Sequence, residues 1–411
     1  MTASIRIRMY RPGFGDCFLL TLRNGSAEQH VLVDFGAHMR GEIGTMDKIM
    51  DDLEKTSRSN LRLIVATHAH RDHISGFGKF ASRFAKFQIE EVWLPWTDDP
   101  HDKQAATLKK KHLALYDALE KHIQLAFSAE PSNTVYAAAL DALSNLRGNE
   151  TATSELARGF GTGAKVRYLQ AGEAFDKVAS LPGLSAELLG PPRDASFLSR
   201  MNPPADQHFF TSPGDTTAAL RPFPNLEIRS GDPDYLAIQK DGQPLVTEQD
   251  LARLHELTEA PAGRLALVLD SVRNNTSLVI LFRFHGKTML FPGDAQWGNW
   301  QSWIGTDKAR QLLGEVDFLK VAHHGSENAT PVDVVHALRE SGLAAMVPTQ
   351  IKPFPTIPRM PLLKELEKRC EGHVAVRSDR IAVQGAPKGP TPVPDLPKGF
   401  SEGEVWIDYE F

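Results

Sequence analysis

The sequence predicts an α/β fold in which sheets are backed by helices, and three observations support that class. Apolar stretches of strand length alternate with stretches of helical period near both ends of the chain. With 411 residues, the chain exceeds the roughly 250–300 residues that one hydrophobic core usually serves. Hydrophobic residues make up 41% and charged residues 24%, an ordinary balance for a folded protein. We therefore expect two α/β halves that carry either a second domain or a large insertion.

The first third of the sequence contains four predicted strands and one predicted helix. Residues 5–9 alternate between polar and apolar side chains, whereas residues 17–22 and 31–35 are apolar runs next to glycine-containing turns. Residues 46–53 carry apolar side chains at helical spacing, and residues 61–66 form another apolar run. The strands on either side of the helix are therefore predicted to be buried.

The regular pattern weakens in the middle of the chain, much of which is rich in Pro, Gly and Asp. Residues 135–146 have helical period within this part. We assign residues 1–96 to the first half of the fold and residues 266–411 to the second half. Residues 97–265 form the predicted insertion or cap, which retains some core strands near residues 164–190.

The second half repeats the pattern of strands and helices. Residues 278–284 and 288–291 are predicted strands, and the short turn His285-Gly286-Lys287 between them indicates a hairpin. The two halves therefore resemble each other as strand-rich layers backed by helices. The remaining predicted elements are helices at residues 308–314, 331–341 and 361–370 and strands at residues 318–322, 344–347 and 404–409.

Charge, hydropathy and cysteine content argue against several classes of protein. The 46 Lys and Arg against 51 Asp and Glu give a net charge of -5, so the molecule as a whole lacks a general attraction to phosphate. No uncharged stretch approaches the roughly 18 residues of a spanning helix, and residues 1–8 alternate where a signal peptide would be apolar. Cys17 and Cys370 form no CxxC pair. We expect a cytoplasmic enzyme that does not associate with membranes.

Three histidines and an aspartate crowd into residues 68–73, directly after the fourth predicted strand. Ordinary packing seldom brings imidazoles together, because each needs partners for two ring nitrogens and charged rings repel one another. A divalent metal removes that difficulty. In an extended segment His68 and His70 point the same way and share one ion, whereas Asp72 and His73 begin the next helix and face a second ion. The sequence therefore predicts a metal site here.

Two later segments supply further candidate ligands. Asp294 follows a Phe-Pro-Gly sequence at the end of a buried strand, where a position between two cations would compensate its charge. His323 and His324 follow another apolar strand and precede a glycine. Taken alone, Asp294 is also typical of a turn, and the two histidines are equally consistent with ordinary packing. Together with the first cluster, they predict one joint site.

These motifs resemble those of the metallo-β-lactamase superfamily, which carries HxHxDH, a later Gly-Asp and a still later His. More narrowly, the chain resembles the hydrolase domain of the bacterial competence DNA-uptake channel and its free-standing relatives. The resemblance covers both ends of the chain but little of residues 97–180 and 193–263. The matching segments are Phe-Gly-Asp-Cys at 14–17, Val-Asp-Phe-Gly at 33–36, Leu-Gly-Pro-Pro at 189–192, Asn-Asn-Thr-Ser-Leu-Val at 274–279 and Leu-Lys-Val-Ala-His-His-Gly-Ser at 319–326.

The resemblance implies a four-layer αββα sandwich with a large insertion and with metals bound at one edge, between the two sheets. It assigns His68 and His70 to the first metal. It assigns Asp72 and His73 to the second metal, and Asp294 to the bridge between the two ions.

The resemblance further implies that one of the two adjacent histidines completes the second site. We favour His324, which is next to the glycine, and leave His323 as a supporting group or proton donor. Asp16 and Asp34 resemble supports that accept hydrogen bonds from ligand imidazoles or from backbone, although an aspartate at a strand end is a common turn former as well.

One departure from the superfamily concerns the first metal. The superfamily commonly supplies a third histidine some way before the bridging aspartate, where this chain has Asn274 and Asn275. An amide oxygen is a weak, neutral ligand compared with imidazole. Either the first site binds its metal more weakly than the second, or a histidine of the insertion, such as His208, completes it.

Two cations that share a carboxylate lower the pKa of a bridging water, place the resulting hydroxide in line and neutralise charge on the leaving oxygen. We therefore predict a binuclear metallo-hydrolase with two Zn²⁺ ions, or Mn²⁺, in which Asp72, Asp294 and His323 act in catalysis. A small-molecule or nucleic-acid phosphodiester is the favoured substrate, because its ground state and its leaving group both gain from cations.

Two other functions remain open. The first is hydrolysis of a lactone, thioester, lactam or phosphocholine-type ester by the same metals. The second is a metal-binding module that acts with a partner and has no catalytic activity. The sequence makes no prediction of the oligomeric state.

Overall fold

The computed structural model of the chain describes residues 3–38, 41–111, 113, 124, 128, 149–178, 181–209, 239–240, 243–244, 272–326, 328–351, 357–370, 376–380 and 395–411. The chain forms two compact units. The larger unit comprises Met1–Trp96, Gly148–Phe209 and Arg273–Phe411, and the smaller one comprises Thr97–Arg147 and Phe210–Val272. Gly148–Phe209 thus groups with both ends of the chain, although it lies inside the predicted insertion of 97–265. The division at residues 96 and 265 stays a prediction.

Strands and helices alternate along much of the chain. The strands of the described part are β1 (Ser4–Tyr10), β2 (Cys17–Asn24), β3 (Ala27–Phe35), β4 (Asn60–Val65), β5 (Gln88–Pro95), β6 (Lys165–Leu169), β7 (Ala174–Phe175), β8 (Leu184–Gly190), β9 (Gln239–Lys240), β10 (Gln243–Pro244), β11 (Val279–Phe284), β12 (Lys287–Phe291), β13 (Phe318–Lys320), β14 (Ala344–Val347), β15 (Val376–Arg377), β16 (Phe400–Glu402) and β17 (Trp406–Glu410). The α-helices are α1 (Met46–Ser57), α2 (Arg71–Lys79), α3 (Ala81–Phe84), α4 (Glu150–Ala157), α5 (Ala195–Leu198), α6 (Trp297–Gln301), α7 (Asp307–Gly314), α8 (Val332–Ala337) and α9 (Met360–Arg369). Short 3₁₀ turns lie at Trp96–Asp98, Gly159–Gly161, Ala205–Gln207 and Ala322–Gly325.

The larger unit contains two mixed sheets. The eight-stranded sheet has the order β16-β17-β1-β2-β3-β4-β5-β6, and its strands from β3 to β6 are parallel. The seven-stranded sheet has the order β15-β14-β13-β12-β11-β8-β7, with β12 to β15 parallel. Within it, β11 and β12 form the predicted hairpin, whose turn residues His285 and Gly286 have φ values of 46° and 78°.

Three hydrophobic layers show how the sheets and helices stack. Alternate residues of both sheets, such as Leu20 and Phe282, form a central core. The other face of the eight-stranded sheet packs on residues of α1 and α2, including Leu53 and Phe77. The other face of the seven-stranded sheet packs on α7 to α9. The predicted four-layer αββα architecture is therefore confirmed.

Helix α1 illustrates how local sequence sets an element. Thr45 caps its start, with its side chain accepting a hydrogen bond from the Lys48 amide. Ile49 and Leu53 lie one turn apart and are buried against the eight-stranded sheet, because their helical spacing places them on one face. Arg58 ends the helix in the left-handed conformation, with φ 51°.

Of the smaller unit, the structure describes some helical residues and one pair of short strands. Residues 103–111 are helical. Strands β9 and β10 pair in antiparallel fashion. The predicted helix at residues 135–146 lies outside the described residues. Within the parts of the chain described, no helix combines the length and apolar character needed to cross a membrane.

The strand predicted at residues 318–322 ends early, at Lys320. His323 and His324 adopt left-handed φ values of 45° and 56° in the turn that follows. A residue with a Cβ occupies that region at a cost of roughly 1–2 kcal/mol. The chain therefore leaves the sheet sharply at this point, which turns the two imidazoles in different directions.

Candidate metal centre

The HxHxDH motif occupies the loop and the helix start that follow β4. The loop carries His68 and His70, and the first turn of α2 carries Asp72 and His73. Asp34 lies near the end of the neighbouring parallel strand β3. Because the ends of parallel strands meet at one edge of a sheet, these side chains gather there, and each is at most 4% exposed.

Four side chains, which we call the quartet, converge at this edge: His73, Asp72, Asp294 after β12, and His324 after β13. His73 Nε2 lies 2.9 Å from Asp294 Oδ2 and 3.9 Å from Asp72 Oδ2. His324 Nε2 lies 3.0 Å from Asp72 Oδ2 and 3.5 Å from Asp294 Oδ2. Ligands bound roughly 2.0–2.2 Å from a tetrahedral metal are roughly 3.3–3.6 Å apart, and the observed separations bracket that value. The quartet could therefore hold one metal ion.

The opposite edges of the two imidazoles are fixed by hydrogen bonds. His73 Nδ1 lies 2.7 Å from Asp34 Oδ2, and His324 Nδ1 lies 2.7 Å from the carbonyl oxygen of Pro348. Asp34 also accepts hydrogen bonds from the Thr67 amide and hydroxyl, both at 2.7 Å. Partners of this kind fix the orientation and the tautomer of a ligand ring, so the Nε2 atom of each ring faces the two carboxylates of the quartet.

A second set of four groups, Asp16, His73, Asp294 and His324, places ligand atoms within 4.8 Å of one another and is a possible metal site as well. Asp16 approaches the Nδ1 atoms of the rings, at 3.7 Å from His73 and 3.5 Å from His324. Asp72 approaches the Nε2 atoms instead. Asp16 Oδ1 and Asp72 Oδ1 are both buried without a hydrogen-bond partner, so that property does not distinguish the two acids. Because both Nδ1 atoms already have partners, the quartet with Asp72 fits a cation better, and Asp16 supports the rings from behind.

His68 and His70, which we call the first-site pair, lie next to the quartet. His68 Nε2 and His70 Nδ1 are 3.0 Å apart. The His68 ring is also 4.2 Å from the His73 ring, measured between centroids. Two imidazole nitrogens that approach so closely are suited to share one ion, as the alternating directions of the motif predict.

Burial and neighbouring charges lower the pKa values of the first-site pair and raise those of the two quartet histidines. Burial lowers the pKa of His68 and lowers that of His70 to about 3, so both rings are in the neutral form that binds metals. Burial also opposes charge on His73 and His324, but the carboxylates, Asp294 foremost, raise the pKa of His73 and raise that of His324 to about 10. The quartet thus stabilises positive charge, which is what a metal ion would supply.

The two candidate asparagines have different environments. The Asn275 side chain donates to two backbone carbonyls and accepts from two backbone amides. Asn274 Nδ2 lies 3.5 Å from His323 Nε2, and Asn274 Oδ1 is buried with no hydrogen-bond partner. Asn275 therefore supports the loop, and Asn274 is the one that keeps an oxygen for a ligand.

His323 lies beside the quartet without belonging to it. Its Nε2 is 4.0 Å from Asp294 Oδ2, and its side chain is 20% exposed. Its Nδ1 contacts Ser326 Oγ at 2.8 Å and Gln296 Nε2 at 3.2 Å. Burial lowers the pKa of His323 to about 4, so the ring is neutral at pH 7.

Two further residues bear on the centre: His208, which the sequence offered as an alternative ligand, and Arg273, which it did not indicate. His208, the alternative ligand, is buried, with Nε2 2.9 Å from the Pro203 carbonyl oxygen. Arg273 donates from Nη1 to the Ala69 carbonyl at 3.2 Å, between the two histidines of the first-site pair, and its charge helps to lower the pKa of His70, after burial. A cation therefore lies at the rim of the centre.

One stretch of the chain matches a known family. Residues 10–121 match the Metallo-beta-lactamase superfamily. The matched stretch contains the HxHxDH motif together with Asp16 and Asp34. A search of curated proteins gives no match. This match and the buried His/Asp cluster together indicate a metal-dependent hydrolase.

Sequence reasoning missed Lys320, although a signal was present. This lysine interrupts the apolar strand β13, and it is 1% exposed. Lysine is almost never fully buried without partners, so a charged residue inside a predicted buried strand points to buried acids. Those acids are Asp16 and Asp294.

Proposed function

We propose that the protein is a two-metal phosphodiesterase that hydrolyses a small-molecule or nucleic-acid phosphodiester. The observation that carries the proposal is the convergence of the quartet beside the neutral first-site pair, with every one of these side chains buried. Six ligand groups in contact provide for two neighbouring ions, and imidazole with carboxylate suits Zn²⁺ and Mn²⁺.

The residues divide between the two ions as follows. The quartet would hold one ion, and the first-site pair would hold the other together with Asp294 and the free oxygen of Asn274. When bound, such ions lower the pKa of a water molecule toward neutrality and neutralise charge on phosphoryl oxygens. The chain itself supplies the orientation of the ligand rings, through Asp34 and the Pro348 carbonyl.

Two residues at the rim favour an anionic substrate. Arg273 uses one of its five donors on Ala69, and its positive charge suits a phosphate group. His323 is partly exposed and is held by Ser326 and Gln296, which orient its ring toward Asp294. Burial lowers the pKa of His323 to about 4, so the ring is neutral at pH 7; it could take a proton from the attacking water and pass that proton to the leaving oxygen.

The narrower resemblance to the hydrolase domain of the DNA-uptake channel supports the same class of substrate. That likeness rests on the sequence motifs at residues 14–17, 33–36, 189–192, 274–279 and 319–326. A nuclease-type activity is therefore part of the proposal, with zinc or manganese as the metal.

The proposal is tested with three substrates in parallel. Metal-loaded protein is assayed with bis(p-nitrophenyl) phosphate, an aliphatic lactone and a chromogenic β-lactam. We expect turnover of the phosphodiester above the other two. Asp294→Asn should abolish that turnover and lower metal content, because Asp294 contacts both histidines of the quartet. Glu187→Gln is the matched control, since its carboxylate pairs with Lys308 and Arg283 elsewhere on the unit.

The other outcomes separate the alternatives. Turnover of the lactone or the β-lactam alone would replace the phosphodiester with an acyl substrate. Bound metal without turnover of any of the three would favour a metal-binding module that acts with a partner. Protein that takes up neither zinc nor manganese would refute the proposal.

A further inference from the structure

Lys320 is a buried ammonium group at the metal centre. Its Nζ lies 2.5 Å from Asp16 Oδ2, 2.8 Å from the Gly293 carbonyl oxygen and 3.1 Å from Asp294 Oδ1. An ammonium group has three N–H donors, and here three acceptors meet it. The lysine ammonium is therefore held in one position between the segment of Asp16 and the segment of Gly293 and Asp294.

The contact divides the two oxygens of Asp294 between different partners. Oδ1 receives the hydrogen bond from Lys320. Oδ2 faces the histidines, at 2.9 Å from His73 Nε2 and 3.5 Å from His324 Nε2. A carboxylate held in this way presents one oxygen to a cation instead of two.

The same ammonium holds Asp16 behind the ring of His324. Asp16 Oδ2 contacts Lys320, while Asp16 Oδ1 lies 3.5 Å from His324 Nδ1. Burial opposes the charge of the lysine, but Asp16 and Asp294 raise its pKa.

We propose that Lys320 is a positioning residue, which fixes Asp294 so that Oδ2 alone faces the metal ions and which aligns Asp16 with His324. The inference rests on the proposed function only in taking the quartet as the ligand set. Without the ammonium, Asp294 is free to rotate and to offer both oxygens, and Asp16 loses its partner. Both the affinity for metal and the geometry around it should then change.

The test is a metal titration of the full chain and its variants. Lys320→Met removes the charge at similar volume, but it leaves Asp16 buried and unpaired, which endangers folding. The double variant Lys320→Met with Asp16→Asn removes one charge of each sign and is the second variant. Lys287→Met on the neighbouring strand β12 is the matched control, because the Lys287 side chain is 44% exposed and its ammonium pairs with Asp317. Circular dichroism checks the fold of each variant.

The readouts are Mn²⁺ affinity by calorimetry and the visible absorption spectrum of bound Co²⁺, which reports ligand geometry without turnover. We expect folded variants at Lys320 to bind Mn²⁺ roughly 10–100-fold more weakly, with an altered Co²⁺ spectrum and a lower kcat at little-changed KM. Lys320→Arg should recover part of the affinity, and Lys287→Met should match the parent.

The outcomes distinguish this inference from the proposed function. A folded double variant with parental affinity and a parental Co²⁺ spectrum would overturn the positioning role, even if the parent hydrolyses phosphodiesters. A parent that binds metal but turns over none of the three substrates would refute the proposed function, while weaker binding in the Lys320 variants would still support the positioning role. A parent that binds neither Mn²⁺ nor Co²⁺ would overturn both.

Discussion

Replacing Asn275 by alanine should destabilise the protein far more than replacing its neighbour Asn274. Asn275 Nδ2 donates to the carbonyl oxygens of Leu198 at 3.1 Å and of residue 200 at 2.9 Å. Asn275 Oδ1 accepts from the amides of Gln296 and Asn299, both at 3.1 Å. The side chain is 0% exposed and ties the C-terminal end of α5 to the N-terminal turn of α6.

The magnitude follows from these four contacts. A hydrogen bond contributes about 1 kcal/mol net to stability, and a buried group left without a partner costs about 1–3 kcal/mol. Asn275→Ala should therefore cost about 4 kcal/mol. Asn274→Ala removes one long contact to His323 and an oxygen that has no hydrogen-bond partner, so its cost should stay below about 1 kcal/mol.

The assay is equilibrium urea unfolding followed by tryptophan fluorescence, with metal affinity measured on the same preparations. Asn274→Ala should weaken the binding of one ion while it keeps the unfolding midpoint, because its free oxygen is the candidate ligand. Asn275→Ala should lower the midpoint. An Asn275→Ala protein within about 1 kcal/mol of the parent, or an equal loss at Asn274, would refute the reasoning.

Three further predictions concern the centre and the fold. His324→Ala should lose bound metal in elemental analysis, whereas His323→Ala should keep it and lose kcat. Of these two rings, His324 has its Nε2 within 3.5 Å of both quartet carboxylates, whereas His323 Nε2 is 4.0 Å from Asp294 Oδ2; equal metal content in the two variants would contradict this. Gly298→Ala should cost about 2–3 kcal/mol in urea unfolding, because a Cβ there would lie 1.8 Å from the Phe197 carbonyl oxygen; an unchanged midpoint would contradict it. Burial lowers the pKa of His30 from 6.5 to about 4 in the folded state. Below pH 6.5 the unfolded chain therefore takes up a proton that the folded protein does not. About 3 kcal/mol of stability that is present above pH 6.5 should be lost as the pH falls toward 4. His30→Gln should reduce this acid sensitivity in unfolding measured between pH 7 and pH 4, and a parental pH profile would count against it.

The sequence by itself determined the class of fold and the identity of most candidate ligands. Strands such as β4 and helices such as α1 were predictable because their apolar periodicity depends on residues near in sequence. The HxHxDH motif was informative for the same reason, since a strand end followed by a helix start fixes the directions of His68 and His70 over a few residues. Local chemistry therefore predicted a metal centre.

The tertiary structure alone decided which groups meet. His324 contacts Asp72, which lies 252 positions away in the sequence. The strained turn after β13 directs the His324 ring toward the quartet carboxylates, whereas His323 lies beside them. Two adjacent histidines with the same chemistry carry no local signal for that choice. The roles of Asn274 and Asn275 likewise differ only because the fold places different groups around the two side chains.

Lys320 shows the same physical reason most clearly. Its place in an apolar strand indicated a buried partner. The partners are Asp16, which precedes β2, and Asp294, which follows β12. A buried charge is stable only where the fold brings opposite charges within a few ångströms, and such distances depend on how sheets pack over hundreds of residues. Periodicity along the chain sets the elements, whereas the pairing of charges is set by their assembly.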